Sequence, residues 1–215
     1  MTGFIRKRKR PIAAGDISRG KALIFAAVLC TVAIFMSYKI AVPFLYFILA
    51  YLSIQAAYSV YLKNIPIVDI FCIASGFIIR VLAGGVAFKV EVSQWLLLTM
   101  FMISLVLATG KRLGEVSLLN EKAGKHRKSL GYYSTANLNE ILLISSSASL
   151  IAYALYTVEQ FQDLVYTVPI VTFGLFRYLM LSKQGLGDPT EAITRDKWLV
   201  FTVVLWLVVV GLIRY

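Results

Sequence analysis

Residues 65–88 read IPIVDIFCIASGFIIRVLAGGVAF, and the reading of this stretch decides the fold. A membrane-crossing helix needs about 20 consecutive, mostly apolar residues, and this run is long enough. It lacks the short segments of period-two alternation that mark an outer-membrane barrel. Two ionisable residues, Asp69 near its start and Arg80 within it, interrupt the apolar character. Such groups are costly in a bilayer unless paired or solvated. Eleven residues separate them, about three helical turns, so they share a face with a rise of roughly 16 Å between them. Gly76 and Gly84 fall on that same face, and small residues there let a neighbouring helix approach. The face is therefore expected to look into a bundle, with its charges pointing inward or paired with another helix.

Six further apolar runs flank this one, at 22–38, 40–62, 94–109, 138–158, 164–181 and 198–213. The chain has 215 residues, 59% of them hydrophobic, with a mean hydropathy of +0.78. An ordinary soluble domain does not have that composition. The expected fold is an all-α integral membrane protein, a single membrane domain over 1–215 built as a bundle of about seven transmembrane helices. If the N-terminus is cytoplasmic, seventeen Lys and Arg fall on the cytoplasmic side and three, Lys39, Lys89 and Arg214, on the other. That asymmetry predicts a multi-pass protein of the inner (plasma) membrane, with 1–21 a basic cytoplasmic segment and 110–137 a cytoplasmic loop. The formal net charge of +11 is thus mostly a matter of topology. A nucleic-acid partner is not expected, because no soluble domain carries a basic surface. Cys30 and Cys72 lie inside apolar runs, without metal-ligand spacing, and read as packing residues.

The largest island of charge is GKRLGEVSLLNEKAGKHRKSLGYYS, residues 110–134, which holds six Lys or Arg and the only His. Lys111, Arg112 and Glu115 would lie on one face if the preceding helix continues, a clamp for an anionic group. Arg112 and Glu115 are then expected at a water-facing helix end, where their removal would abolish activity and spare folding. Near the N-terminus, RKRKRPIAAGDIS combines a charge run with turns at Pro11 and Gly15 and a helix cap at Asp16 or Ser18. It suits either anionic lipid head groups or a bound phosphate. Tyr58, Tyr61 and Lys63 in YSVYLKN are placed as interface anchors would be. Arg177 is close enough to a helix end to snorkel. In GLGDPTEAITRDKW, Asp188, Pro189 and Glu191 fit the N-cap, N1 and N3 positions of a short helix. Asp188, Glu191 and Asp196 alternatively offer oxygens to a cation.

Together KRKRPIAAG, YLKNIPIVDIFCIASGFIIRVLAGG, GKRLGE with KHRKSLGYYS, and GDPTEAITRD resemble the UbiA-type superfamily of membrane prenyltransferases. Within it they are most similar to the decaprenyl-phosphate phosphoribosyltransferase branch. The resemblance implies nine membrane helices, a Mg2+-dependent site open to the cytoplasm, and a diphosphate donor, phosphoribosyl pyrophosphate or a prenyl diphosphate. It implies polyprenyl phosphate as acceptor, taken from the lipid bilayer. The family's first motif, N-D-x-x-D-x-x-x-D, precedes the K-R-P-I-A-G segment, and Met1 falls after that place, so a UbiA-like chain shortened by the first two of nine helices is expected. By resemblance, 110–137 is the active-site loop, and Asp69, Lys111, Arg112 and Glu115 are the catalytic set, with Asp69 and Glu115 also linked to the metal. Arg10, Tyr58, Tyr61, Lys63, Arg80, Arg127 and Tyr132 are implied in substrate binding. A transporter or channel would also hold intramembrane Asp and Arg, but would show matching repeated halves, which the sequence lacks. A non-catalytic homologue that keeps the fold is the other alternative.

Overall fold

A computed structural model describes residues 15, 17–119 and 128–214, so Arg10 and Arg127 lie outside the described residues. The described α-helices are α1 (Arg19–Ile40), α2 (Val42–Val60), α3 (Val68–Phe88), α4 (Gln94–Leu119), α5 (Thr135–Gln160), α6 (Val168–Lys183), α7 (Pro189–Arg195) and α8 (Lys197–Arg214). Short 3-10 segments at Leu62–Asn64, Lys128–Tyr132 and Gln162–Thr167 join them, and no strand occurs among the described residues. Among the described residues six spans are long and apolar enough to cross a membrane, and a seventh results when α7 and α8, bent by 96° at their junction, are taken together.

The chain divides into two compact units, Met1–Leu49 and Ala50–Tyr215, the division falling inside α2. In the first, Ser18 takes the N-cap of α1, its side chain accepting the Lys21 amide at 3.4 Å. α1 ends at Ala41, in extended conformation, and Pro43 sits in the first turn of α2, where its missing N–H costs no helical bond. Leu23, Phe25, Phe35 and Met36 are exposed on α1, as befits a helix that meets lipid.

In the second unit α4 is the central element, packed on α3, α5 and α6. Its buried positions include the small residues Ser104, Ala108, Thr109 and Gly110, and α5 buries Ser145, Ser149 and Ala152. Small residues allow the close approach that membrane helices need. The Ser145 hydroxyl donates to the Ile141 carbonyl of its own helix at 2.7 Å, which satisfies it in apolar surroundings.

α4 continues ten residues past its apolar run because its end is occupied by partners. Gly110 and Gly114 receive the turn that follows α6 so closely that a Cβ on Gly187 would stand 1.9 Å from the Gly110 carbonyl oxygen. The Tyr178 hydroxyl donates to the Gly187 carbonyl at 2.8 Å and holds the turn there. α7 then starts as its sequence predicts, with Asp188 accepting the Thr190 amide at 3.0 Å and Pro189 in the first turn. Arg177 does more than snorkel: its Nε donates to both oxygens of Asp196, at 3.0 and 3.1 Å, while Asp196 accepts the Leu199 amide at 2.8 Å and so starts α8.

Candidate functional site

The site begins in the backbone just before α3. The Val68 amide donates to the Pro66 carbonyl at 2.7 Å, and Ile67 between them has φ 66° and ψ −49°. This is a γ-turn of the rare positive-φ kind. For a β-branched residue the conformation is unfavourable. The Ile67 amide in turn donates to the Tyr133 hydroxyl, 66 residues away in sequence. Two residues on, Asp69 lies in the first turn of α3, where the positive end of the helix dipole favours a carboxylate.

Asp69 is completely buried, at 0% exposure. Its Oδ1 accepts the Tyr133 hydroxyl proton at 2.7 Å and its Oδ2 accepts the Nε–H of Arg112 at 2.8 Å. Ser129 Oγ stands 3.4 Å from Oδ2 and donates at 3.0 Å to the Lys63 carbonyl, the shorter of its two contacts. Arg112 is 2% exposed. Besides Asp69 it donates from Nη1 to Glu115 Oε2 at 2.8 Å and from Nη2 to the Tyr58 hydroxyl at 3.3 Å. Three of a guanidinium's five N–H groups are thus committed, to α2, α3 and its own helix. One buried cation between two carboxylates is tolerable because every charge has a partner. Burial, and then the bond to Asp69, push the Tyr133 hydroxyl above the ordinary tyrosine range, so it stays a proton donor.

The expected trio of Lys111, Arg112 and Glu115 therefore separates. Arg112 and Glu115 pair at i,i+3, while Lys111 reaches Asp188 across 2.7 Å, the two side chains 42% and 35% exposed. Successive residues on a helix point about 100° apart, so Lys111 and Arg112 address different neighbours. Nor does Arg112 end in water: it is buried, and its removal is a matter of folding as well as chemistry. Arg80 is exposed, with its guanidinium 4.7 and 5.1 Å from the ring centres of Tyr51 and Phe77 and a hydrogen bond to the Tyr51 hydroxyl. It stands apart from Asp69, which pairs with another helix instead. Tyr58 and Lys63 lie at the cluster, Tyr58 by its hydroxyl and Lys63 by its carbonyl. Tyr61 and Tyr132 are exposed, at 64% and 75%.

Sequence reasoning passed over Ser129, Tyr133 and the pairing of Asp188 with Lys111. The tandem Tyr132–Tyr133 in KSLGYYS was the one available signal for the second of these. Among the described residues no three His, Cys, Asp or Glu come together as a metal would require. Asp69 has both oxygens committed and Glu115 has one, so these two carboxylates do not fit the implied magnesium.

A cavity of about 500 Å³ lies among α4, α5, α6 and α8. Met100, Leu107, Leu175, Val203 and Trp206 give it an apolar lining, and Tyr178 and Pro189 carry it to the residue next to Asp188.

Residues 2–192 match the family model described as the UbiA prenyltransferase family. The decaprenyl-phosphate phosphoribosyltransferase of Mycolicibacterium smegmatis is 32% identical over 223 residues, covering 97% of this chain and 70% of that protein. The protein of the same name from Corynebacterium glutamicum is 35% identical over 212 residues, covering 94% of this chain and 64% of its own. Among solved structures, a UbiA homologue from Archaeoglobus fulgidus superposes with a TM-score of 0.72 at 16% identity, over 97% of this chain and 78% of that one. That likeness concerns the fold.

Proposed function

The chain belongs to the UbiA prenyltransferase family, and from that membership we propose that it transfers a phosphoribosyl group from phosphoribosyl pyrophosphate to a polyprenyl phosphate. The observation that carries the reading is the buried Arg112, held by Asp69, Glu115 and Tyr58 one residue from the more exposed Lys111. The names of the relatives support the choice of donor and acceptor.

In such a transfer the bond from ribose C1 to the pyrophosphate oxygen breaks, and pyrophosphate leaves with the electron pair. A bond forms from C1 to an oxygen of the acceptor phosphate. That phosphate is already an anion, so no base has to remove a proton. The protein's task is to bring two anions together and to stabilise the charge growing on the leaving group. In this reading Lys111 exchanges Asp188 for a diphosphate oxygen, as a point charge can. Asp69 and Glu115 orient Arg112, whose planar fork suits a phosphate. Lys63, Arg10 and Arg127 add positive charge, and Tyr58, Tyr61 and Tyr132 position the donor. Arg80 is left a packing role on its aromatic neighbours. Magnesium is implied by the family but does not fit Asp69 and Glu115 as they are bonded, and no step here passes through it. The acceptor's tail occupies the apolar cavity, which reaches Pro189, the residue after the Asp188 that pairs with Lys111. The site opens to the cytoplasmic side of the inner membrane.

The test is incubation of the membrane-embedded chain with polyprenyl phosphate and labelled phosphoribosyl pyrophosphate, beside a parallel reaction with labelled prenyl diphosphate. Label in the lipid fraction from the first donor alone is expected. Transfer from prenyl diphosphate alone would move the assignment to prenyl transfer, and transfer from neither would overturn it.

A further inference from the structure

We infer that Tyr133 is a positioning residue: its hydroxyl latches the strained turn at Ile67 and, through Asp69, sets the orientation of Arg112. The inference rests on the proposed role of Arg112 at an anion site. One hydroxyl makes two directed bonds here, giving its proton to Asp69 Oδ1 at 2.7 Å and accepting the Ile67 amide on a lone pair. Both bonds fall on the three residues that open α3. Ile67, with φ 66°, is the only described non-glycine residue besides Lys89 at positive φ. Strained conformations persist where surrounding contacts over-determine them.

Besides the local backbone bonds of Val68 to Pro66, Asp69 to Ile65, and Ile70 and Phe71 to Ile67, the side-chain contacts come from one short segment. Ser129 holds the Lys63 carbonyl before the turn, and Tyr133 holds Ile67 and Asp69 at and after it. Without the hydroxyl, Ile67 is free to relax to negative φ, which swings the first turn of α3. Asp69 then leaves the Nε–H of Arg112, and the guanidinium, still bonded to Glu115, turns with it. The phenol ring is not what the latch needs, for Tyr133 is buried with its ring already packed in the core.

The test uses Tyr133→Phe, Ile67→Gly and the double variant in the full chain. For Tyr133→Phe, the KM for phosphoribosyl pyrophosphate should rise about tenfold or more, as expected on losing a hydrogen bond to a charged group. The KM for polyprenyl phosphate should stay within about twofold, and the amides of Asp69 to Phe71 should exchange hydrogen faster. Glycine adopts positive φ without strain. Ile67→Gly in the Tyr133→Phe background should therefore return the donor KM most of the way and restore slow exchange at Asp69 to Phe71. An unchanged donor KM in Tyr133→Phe would overturn the inference. So would a fall in kcat alone that follows the loss of folded protein, or the absence of recovery in the double variant. A parent chain that transfers no phosphoribosyl group would sink the proposed reaction. The latch would still be decided by the exchange rates, which need no substrate: unaltered exchange in Tyr133→Phe would refute it.

Discussion

Arg112 carries its charge where water hardly reaches, at 2% exposure, and the consequence is a coupling of stability to chemistry. Arg112→Ala leaves the Asp69 carboxylate buried with no cation, a change that costs about 3–5 kcal/mol. A large fall in the thermal midpoint of the detergent-solubilised protein is expected, contrary to the sequence-based expectation of a fold left intact. Replacing both charges together, Asp69→Asn with Arg112→Met, should recover most of that midpoint, because exchanging a buried ion pair for uncharged side chains is often close to neutral. Neither protein should transfer. Equal midpoints for the single and the double variant would show that the ion pair is not what the fold depends on. Glu115→Gln should separate the two properties from the other side. Its side chain is 23% exposed, so the midpoint should shift little, while donor KM rises.

Among the elements, the contact between α4 and the turn after α6 is the most exacting. Gly187→Ala places a methyl 1.9 Å from the Gly110 carbonyl oxygen and Gly114→Ala places one 2.9 Å from the Gly187 amide, so both should destabilise the protein. Gly211→Ala meets nothing within 4 Å in α8 and should stabilise it, by about 0.5–1 kcal/mol. Thermal unfolding of the three variants checks the order. The same turn is tied to α4 by Lys111 and Asp188. Partial burial works against the Asp188 charge, but the Lys111 ammonium and the amides of Thr190 and Glu191 outweigh it and hold the carboxyl below its ordinary value. A depressed carboxylate adds stability that is complete above its unfolded pKa, about 4, and lost as pH falls through the lower folded value. Amides of the 184–190 turn should therefore exchange steadily from neutral pH to about 4 and lose protection below it. Lys111→Ala should move that loss to higher pH, and an unmoved profile would count against the pair.

The spans themselves were legible because hydrophobic length is a local signal, and so was the cap at Asp188, whose partners are two and three residues away. The γ-turn and its latch were not. Pro66 announces a break before α3, but nothing near Ile67 names a partner 66 residues on. Of the tandem tyrosines the sequence offers no basis for choosing, and the structure buries Tyr133 while Tyr132 is 75% exposed.

At the scale of the whole molecule, charge has two jobs that pull against each other. In the described part of the site Lys111 is paired with Asp188, and Arg112 with both Asp69 and Glu115. Both cations are thus engaged by carboxylates before any substrate arrives. Drawing two phosphate compounds together needs more positive charge than that. In the proposed reading it comes from the basic stretches of 6–10 and 122–127, the segments that also make the Lys and Arg distribution so lopsided. Orientation and catalysis then depend on the same residues, and orientation is the one that a simple experiment reads. α8 is 18 residues of mostly apolar sequence between Lys197 and Arg214, close to the roughly 27 Å its rise would span. α7 meets it at 96°, and the two taken together make the seventh candidate span. With seven crossings and the basic segments inside, a reporter inserted near Asn120 should read as cytoplasmic and one fused after Tyr215 as external. Both reporters reading cytoplasmic would mean that α8 does not cross. The reverse pattern would put Lys111, Arg112 and the basic stretches on the side away from a cytoplasmic diphosphate donor, and the proposed transfer could not take place there.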